Sequence, residues 1–258
     1  MTTYVGGPLK ESRTMNVLIL AAGQSESNSG DGNYPLCLAE IRGVPLIQRL
    51  VHACMSLAPV HFIVAFRRSD IDEFHLDNVL EILAPTSNII SASKETRGAA
   101  CTALLATGHI DNANELLIIS GNEFIDIDYS TIVNNFRERR LDAGTVTFPS
   151  IHPRYSYVRL SGDGSVIEAA ERRPISQHAT AGFYWFARGA EFVRAAQTMI
   201  YKDAAVNGNF YVCPVLNELV LEQARIGQFT IDIGQYSPLK TARQILQEDM
   251  DTGKRSYR

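Results

Sequence analysis

Met15-Asn16-Val17-Leu18-Ile19-Leu20-Ala21-Ala22-Gly23 is the stretch that decides how this chain is read. Residues 17–21 form a short unbroken apolar run, which suits a central parallel strand buried on both faces. The run ends in Ala22 and Gly23, whose small size lets a backbone come close to a bound group. Taken alone, Ala21-Ala22-Gly23 fits simple strand-to-loop packing equally well. From Gln24 to Asn33 the chain is almost wholly Ser, Gly, Asn, Asp and Glu. Nothing there can be buried, so a mobile loop is expected.

Working outward, strands are expected at 61–66, 88–91, 116–120 and 144–148. Helices are expected at 46–57, 70–76, 98–105 (running on towards Gly108) and 130–139. Strands that alternate with helices at this spacing argue for a mostly parallel, doubly wound sheet. The second half reads differently. Strands at 157–160, 166–170 and 181–186 flank a Gly162-Asp163-Gly164 turn and point to an antiparallel extension. Helices at 189–200 and 212–222, a late strand at 228–233 and a closing helix at 239–248 complete the reading. The first 14 residues are polar and read as a flexible extension, which leaves one domain over 15–258. The expected architecture is a three-layer α/β sandwich around a mixed, mostly parallel sheet.

Composition narrows the function classes. Of 258 residues, 45% are hydrophobic and 20% charged, as in an ordinary globular protein able to bury a sizeable core. The formal net charge of −4 argues against a nucleic-acid partner. The densest basic cluster, Arg137, Arg139 and Arg140 with Glu138, reads as a solvated helix face. Cys37, Cys54, Cys101 and Cys213 show no C-x-x-C pairing and sit among apolar residues. That argues against structural zinc and a disulfide framework, and suits a reducing, cytoplasmic location. No apolar run reaches the roughly 18 residues a membrane span requires. The six histidines lack metal-ligand spacing, and no G-x-S-x-G, P-loop or dinucleotide fingerprint occurs.

Three segments, taken together, carry a resemblance. The first joins Leu20-Ala21-Ala22-Gly23 to Pro35 and Gly43-Val44-Pro45-Leu46-Ile47. The second is Thr96-Arg97-Gly98-Ala99-Ala100-Cys101-Thr102-Ala103-Leu104. The third runs from Val146-Thr147-Phe148-Pro149 through Tyr155-Ser156-Tyr157-Val158-Arg159-Leu160, Glu171-Arg172-Arg173-Pro174 and Ala181-Gly182-Phe183-Tyr184-Trp185-Phe186 to Asn207-Gly208-Asn209-Phe210-Tyr211. In this order and spacing, over roughly residues 15–235, the chain resembles the sugar-1-phosphate nucleotidyltransferases, the glucose-1-phosphate thymidylyl-, cytidylyl- and uridylyltransferase-like family. The resemblance implies the nucleotide-diphospho-sugar transferase (GT-A-like) fold and a nucleotide or nucleotide-sugar ligand. It implies that Ala21, Ala22, Gly23, Thr96 and Gly98 line the nucleotide. It assigns Tyr157, Glu171, Arg172, Gly182 and Asn209 to the sugar phosphate, and Mg²⁺ as cofactor if the chain is catalytically active. For Gly98-Ala99-Ala100 a close helix–sheet contact is the plain alternative. For Tyr184, Trp185 and Phe186 it is core packing.

The chain departs from that family where charge is needed. The family carries an Arg in the glycine-rich loop, a Lys after the loop's proline and a metal-binding Asp after the fourth strand. Here those positions hold Ser27, Leu36 and Asn122, and Asn209 stands where a Glu is common. Tyr236-Ser237-Pro238-Leu239-Lys240 replaces an acidic Gly-Thr-Pro segment. Glu123, Asp126 and Asp128 lie near Asn122 and are candidate metal ligands. As alternatives, Asp126-Ile127-Asp128 has the D-x-D form of related glycosyltransferases, and Asp128 suits the cap of the next helix. The functional expectation is a family member in surface-polysaccharide (capsule or lipopolysaccharide) precursor metabolism, with catalysis weakened or lost. The second expectation is a non-catalytic scaffold or regulatory protein that partners an active enzyme or a second copy of itself.

Overall fold

The computed structural model describes residues 14–23, 34–57 and 59–239. Ser27, most of the N-terminal extension, the loop 24–33 and nearly all of the expected closing helix lie outside the described residues. The opening strand is β1 (Met15–Leu20). Two two-residue strands, β2 (Glu40–Ile41) and β3 (Val44–Pro45), lead into α1 (Leu46–Met55). Then come β4 (Val60–Arg67), α2 (Arg68–Phe74), α3 (Leu76–Leu83) and β5 (Asn88–Ala92). Next are α4 (Ala99–Leu104), α5 (Thr107–Ile110), β6 (Glu115–Ser120), β7 (Glu123–Ile125), α6 (Tyr129–Glu138) and β8 (Ala143–Pro149). The second half holds β9 (Ser156–Leu160), β10 (Val166–Glu171), β11 (His178–Phe186), α7 (Gly189–Tyr201) and α8 (Val212–Leu221). It ends with β12 (Ile226–Thr230) and β13 (Tyr236–Pro238).

Nine strands form one sheet along the path β10-β9-β11-β6-β1-β4-β5, and β8 joins β11 to β12. β1 runs parallel to both β4 and β6, β4 parallel to β5, and β8 parallel to β12. β11 opposes its neighbours β6, β8 and β9, and β10 opposes β9. All strands but β10 and β11 therefore point one way, and the sheet is mixed but mostly parallel. Successive side chains on β1 feed opposite cores. Val17 and Ile19 pack with α1, α3 and α6, whereas Leu18 packs with α4, α7 and α8. β6 repeats the rule, with Leu117 and Ile119 on the first side and Leu116 and Ile118 on the second. This period-two alternation beneath helices on both faces produces three layers.

Several boundaries differ from the sequence reading. The helix expected at 70–76 is two helices separated by His75, whose φ of 51° is left-handed. α3 has apolar residues at 76, 79, 80 and 83, a helical period in a segment too short to stand out. The helix from Gly98 breaks between α4 and α5, where the Thr107 hydroxyl donates to the Leu104 carbonyl at 2.6 Å and competes with the helical ladder. β11 begins at His178 and β12 at Ile226, both earlier than expected. Arg137 is not merely solvated, because it pairs with the nearly buried Glu115 at 2.5 Å. Among the described residues no helix is long and apolar enough to cross a membrane.

The chain goes from β1 to β4 and β5 on one side, then crosses back to β6 on the other. The carboxyl ends of β1 and β6 therefore open a crevice at a topological switch point. They approach unusually closely there. Gly121 N–H donates to the Leu20 carbonyl at 2.8 Å, and a Cβ on Gly121 would lie 2.7 Å from Ala21 Cβ. Gly121→Ala must push the two strand ends apart and is expected to cost about 1–3 kcal/mol. Urea denaturation checks this, and an unchanged midpoint at unchanged slope would show that the junction has slack.

Candidate functional site

A cavity of about 660 Å³ opens at this crevice. One wall is the β1 exit, Leu20 to Gly23, and the β6 exit, Ser120 to Glu123. A second is the segment from Glu95 to Ala99, with Thr102 of α4 behind it. The opposite wall comes from Arg154, Tyr155, Ser156, Glu171, Arg172, Thr180, Gly182 and Tyr184, closed by Asn209 to Cys213 and by Tyr236.

The second wall is held in place by backbone contacts. Gly98 has φ +98°, and a Cβ there would come within 2.4 Å of the Phe210 carbonyl. That approach allows Ala100 N–H to donate to Phe210 O at 3.0 Å and Phe210 N–H to Arg97 O at 2.7 Å. The segment is thereby zipped to the loop that carries Asn209 and Tyr211. Arg97 strengthens the zip from outside. Its guanidinium lies over the Phe210 ring at 4.9 Å, and its Nε donates to Gly208 O at 3.2 Å. Behind the wall, the Thr96 and Thr102 hydroxyls are 2.6 Å apart, so one donates to the other, and the hydroxyl that accepts has its own hydrogen free for the Gly98 carbonyl, which lies within 3.3 Å of both.

The opposite wall depends on a bulge. The β11–β8 register shifts between Thr180 and Tyr184, and Gly182 sits inside the shift with φ +60°. Such bulges need a residue tolerant of left-handed backbone and re-aim the chain beside clefts. Buried Thr145 donates its hydroxyl to Phe183 O at 2.9 Å, which satisfies a carbonyl displaced from the ladder. The room left by Gly182 is filled by Glu123, whose Oε2 would lie 2.4 Å from a Cβ at 182. Burial first, and then the Glu123 carboxylate in hydrogen-bond contact, push the Tyr236 hydroxyl far above its ordinary pKa. Tyr236 therefore stays protonated and donates. It reaches the cavity because β13 pairs antiparallel with β7.

Around this core, the Ser156 hydroxyl donates to Glu171, and Arg172 lies 3.8 Å from Glu171 and 6.0 Å from the Tyr211 ring centroid. Arg154 lies over the Tyr155 ring at 4.5 Å. Two cavity cysteines are chemically quiet. Burial, and then the charge of Asp70, push the Cys37 thiol up to about 12, and burial, then Glu171, does the same for Cys213. At neutral pH both remain thiols, so neither is a ready nucleophile.

Of the residues singled out from the sequence, Ala21, Ala22, Gly23, Thr96, Gly98, Glu171, Arg172, Gly182 and Asn209 all line this cavity, as do Leu36, Asn122 and Glu123. Tyr157 does not. It is wholly buried in the core, and its hydroxyl donates to the His152 carbonyl at 2.7 Å. Its neighbour Ser156 takes the cavity-facing position, as strand alternation requires. Asp126 and Asp128 are also absent from the walls. Asp128 caps α6 by accepting from Ser130 N–H at 3.0 Å, and Asp126 N–H is held by the Gln235 carbonyl. Arg154, Tyr155 and Tyr236 were not assigned to the site. Tyr155 and Tyr236 both stand in quoted segments, but Tyr236 enters through a long-range pairing that spacing cannot show.

Mg²⁺ usually takes one or two carboxylates within an oxygen shell. Asn122 offers only an amide oxygen, which already accepts from the Ser120 hydroxyl, and the Glu123 carboxylate is packed against Gly182 and Tyr236. Among the described residues no three His, Cys, Asp or Glu converge on a metal-binding point. This donor set does not fit a resident divalent cation.

The sequence profile of the nucleotidyl transferase family matches residues 34–248. No curated protein sequence is detectably similar. Solved structures share the fold. The nucleoside-diphosphate-sugar pyrophosphorylase from Vibrio cholerae RC9 superposes with a TM-score of 0.73 at 20% identity, covering 91% of this chain and 99% of that one. The inositol-1-phosphate CTP transferase from T. maritima gives 0.70 at 14% identity, with 92% and 96% covered. HddC from Yersinia pseudotuberculosis, solved with GMP-PN, gives 0.63 at 15% identity, with 92% and 99% covered.

Gly182→Ala forces a left-handed alanine against Glu123 and is expected to destabilise the fold by about 1–3 kcal/mol. Adding Glu123→Ala should recover part of that loss, because the two positions share one space, with a coupling of about 0.5–3 kcal/mol. Strictly additive losses in a double-mutant cycle would refute the packing relation.

Proposed function

We propose a function for this chain from one premise: it belongs to the nucleotidyl transferase family. Its cavity binds a nucleotide or nucleotide sugar. The base and ribose lie along Ala21, Ala22, Gly23, Thr96 and Gly98, and the sugar phosphate lies towards Gly182, Glu171, Arg172 and Asn209. The family reaction is an in-line attack of a sugar-1-phosphate on the α-phosphate of a nucleoside triphosphate, with pyrophosphate leaving. A protein accelerates that step mainly by positioning the reactants and neutralising developing charge.

The observation that carries the reading is that the cavity keeps its walls while Leu36 and Asn122, both in its lining, are neutral. Losing one charge that stabilises a transition state costs on the order of 3 kcal/mol, about a hundredfold in rate. Such losses are not additive, because the groups act as a unit. Turnover is weakened or lost, and the retained property is binding. We assign this binding to the cytoplasm, where four free cysteines persist, and to precursor metabolism for surface polysaccharides. The second reading, a scaffold or regulator that partners an active enzyme or a second copy, is favoured by the same neutral lining.

Thermal melts against a panel of nucleoside triphosphates and nucleotide sugars, with and without Mg²⁺, test the binding. A ligand at about 100 times its Kd stabilises the fold by roughly 2.7 kcal/mol, and the shift should not depend on Mg²⁺. The triple variant Ser27→Arg, Leu36→Lys, Asn122→Asp should gain metal-dependent turnover with the ligand so identified. No shift with any ligand refutes the binding reading, and robust turnover by the unmodified chain refutes the catalytic loss.

A further inference from the structure

Beside the main cavity lies a second one of about 340 Å³, which shares Ala22, Glu95, Thr96 and Thr102 with it. Its remaining walls are Arg67, Arg68, Ser69, Ala92, Ser93 and Lys94. These residues follow the carboxyl ends of β4 and β5, on the far side of β1 from Gly182. Three cations thus meet at one recess of a chain whose formal net charge is −4.

The three are held differently. Asp70, only 1% exposed, accepts from Arg67 Nε at 2.9 Å and from the Ser69 hydroxyl at 3.2 Å. It fixes the guanidinium by one edge, and among the described residues no hydrogen bond engages either Nη group of Arg67. Arg68 is more committed, because Asp72 takes its Nε at 2.9 Å and its Nη2 at 2.8 Å. Lys94 makes no hydrogen bond or ion pair among the described residues. Glu95 is the one acidic wall residue. An oriented guanidinium whose Nη groups take no hydrogen bond among the described residues, an exposed ammonium and the Ser93 hydroxyl suit a tetrahedral oxyanion.

We propose that this annex is a subsite for a phosphoryl group, a role that rests on the nucleotide reading only for the source of that group. The phosphate is either part of the ligand lying on the Ala22 wall or belongs to a separate phosphorylated molecule.

Calorimetric titration of inorganic pyrophosphate into the full chain tests it, with Lys94→Ala and Arg67→Lys as variants. Lys94 is exposed and makes no hydrogen bond or ion pair among the described residues, so its replacement leaves folding intact. Arg67→Lys keeps a cation beside Asp70 while removing the fork. Pyrophosphate should bind the wild type, and each variant should weaken it about tenfold, the value of one charge-assisted hydrogen bond. Equal affinity in the folded variants, or no binding to the wild type, overturns the proposal. Repeating the titration at saturating nucleoside triphosphate separates the sources. Displacement identifies the nucleotide's own phosphates, and simultaneous binding identifies a separate ligand. A nucleoside monophosphate arm tests the main cavity by itself. If pyrophosphate binds and no nucleotide does, the nucleotide reading fails and the annex stands.

Discussion

The contact between Leu20 and Gly121 is the constraint on which the rest of the site depends. β1 and β6 are parallel neighbours from opposite directions of chain growth, so their carboxyl ends define where a ligand can enter the sheet. Beyond their ladder the two exits stay together through the Gly121 N–H, which donates to the Leu20 carbonyl at 2.8 Å, and a side chain at 121 would break the approach. Ala21 is tied on its other side to the Ala65 carbonyl at 2.9 Å. The position of the 21–23 wall is thus fixed by strand geometry and residue size, with no charge involved.

The same holds for the other walls. Gly98 against Phe210 and Gly182 against Glu123 are shape relations, secured by backbone donors and a left-handed turn. Shape of this kind survives the loss of charged side chains. A lysine at 36 or a carboxylate at 122 contributes nothing to the zip at Phe210 or the bulge in β11, so neutral residues there leave the fold undisturbed. A chain can therefore keep a formed cavity while its capacity for phosphoryl chemistry declines, because the two properties rest on different atoms.

The sheet was legible in the sequence because a buried parallel strand is an uninterrupted apolar run, and β1, β4 and β6 have that form. The small residues at 21–23 and 98 were legible because small residues at a strand exit and a helix start allow a close approach, whereas Gly182 was placed only by the family resemblance. What was hidden is non-local or one residue out of phase. β13 meets β7 across a large part of the chain, and this pairing alone brings Tyr236 to Glu123. In β9 the side chains alternate between core and cavity, so Tyr157 is buried while Ser156 lines the cavity. Asp128 illustrates the reverse case. A carboxylate just before a helix satisfies that helix's first amides, and local capping explains it without a metal.

The distribution of the remaining cations bears on the proposed loss of turnover. Arg154 and Arg172 stand on the rim formed by β9 and β10, whereas Arg67, Arg68 and Lys94 stand beyond β1 at the ends of β4 and β5. Leu36 and Asn122 line the cavity without a charge of their own. Coulomb attraction at an effective dielectric of about 20 is worth roughly 4 kcal/mol at 4 Å but only about 1.7 kcal/mol at 10 Å, and salt reduces the longer one further. Cations on two separate rims can therefore anchor the ends of an anionic ligand. On the proposed reading, what Leu36 and Asn122 leave out is a charge placed where it develops on a leaving pyrophosphate, the point at which stabilisation must increase on the way to the transition state. On that reading, a ligand anchored at its edges is held about equally in ground state and transition state, and uniform binding of that kind does not accelerate a reaction.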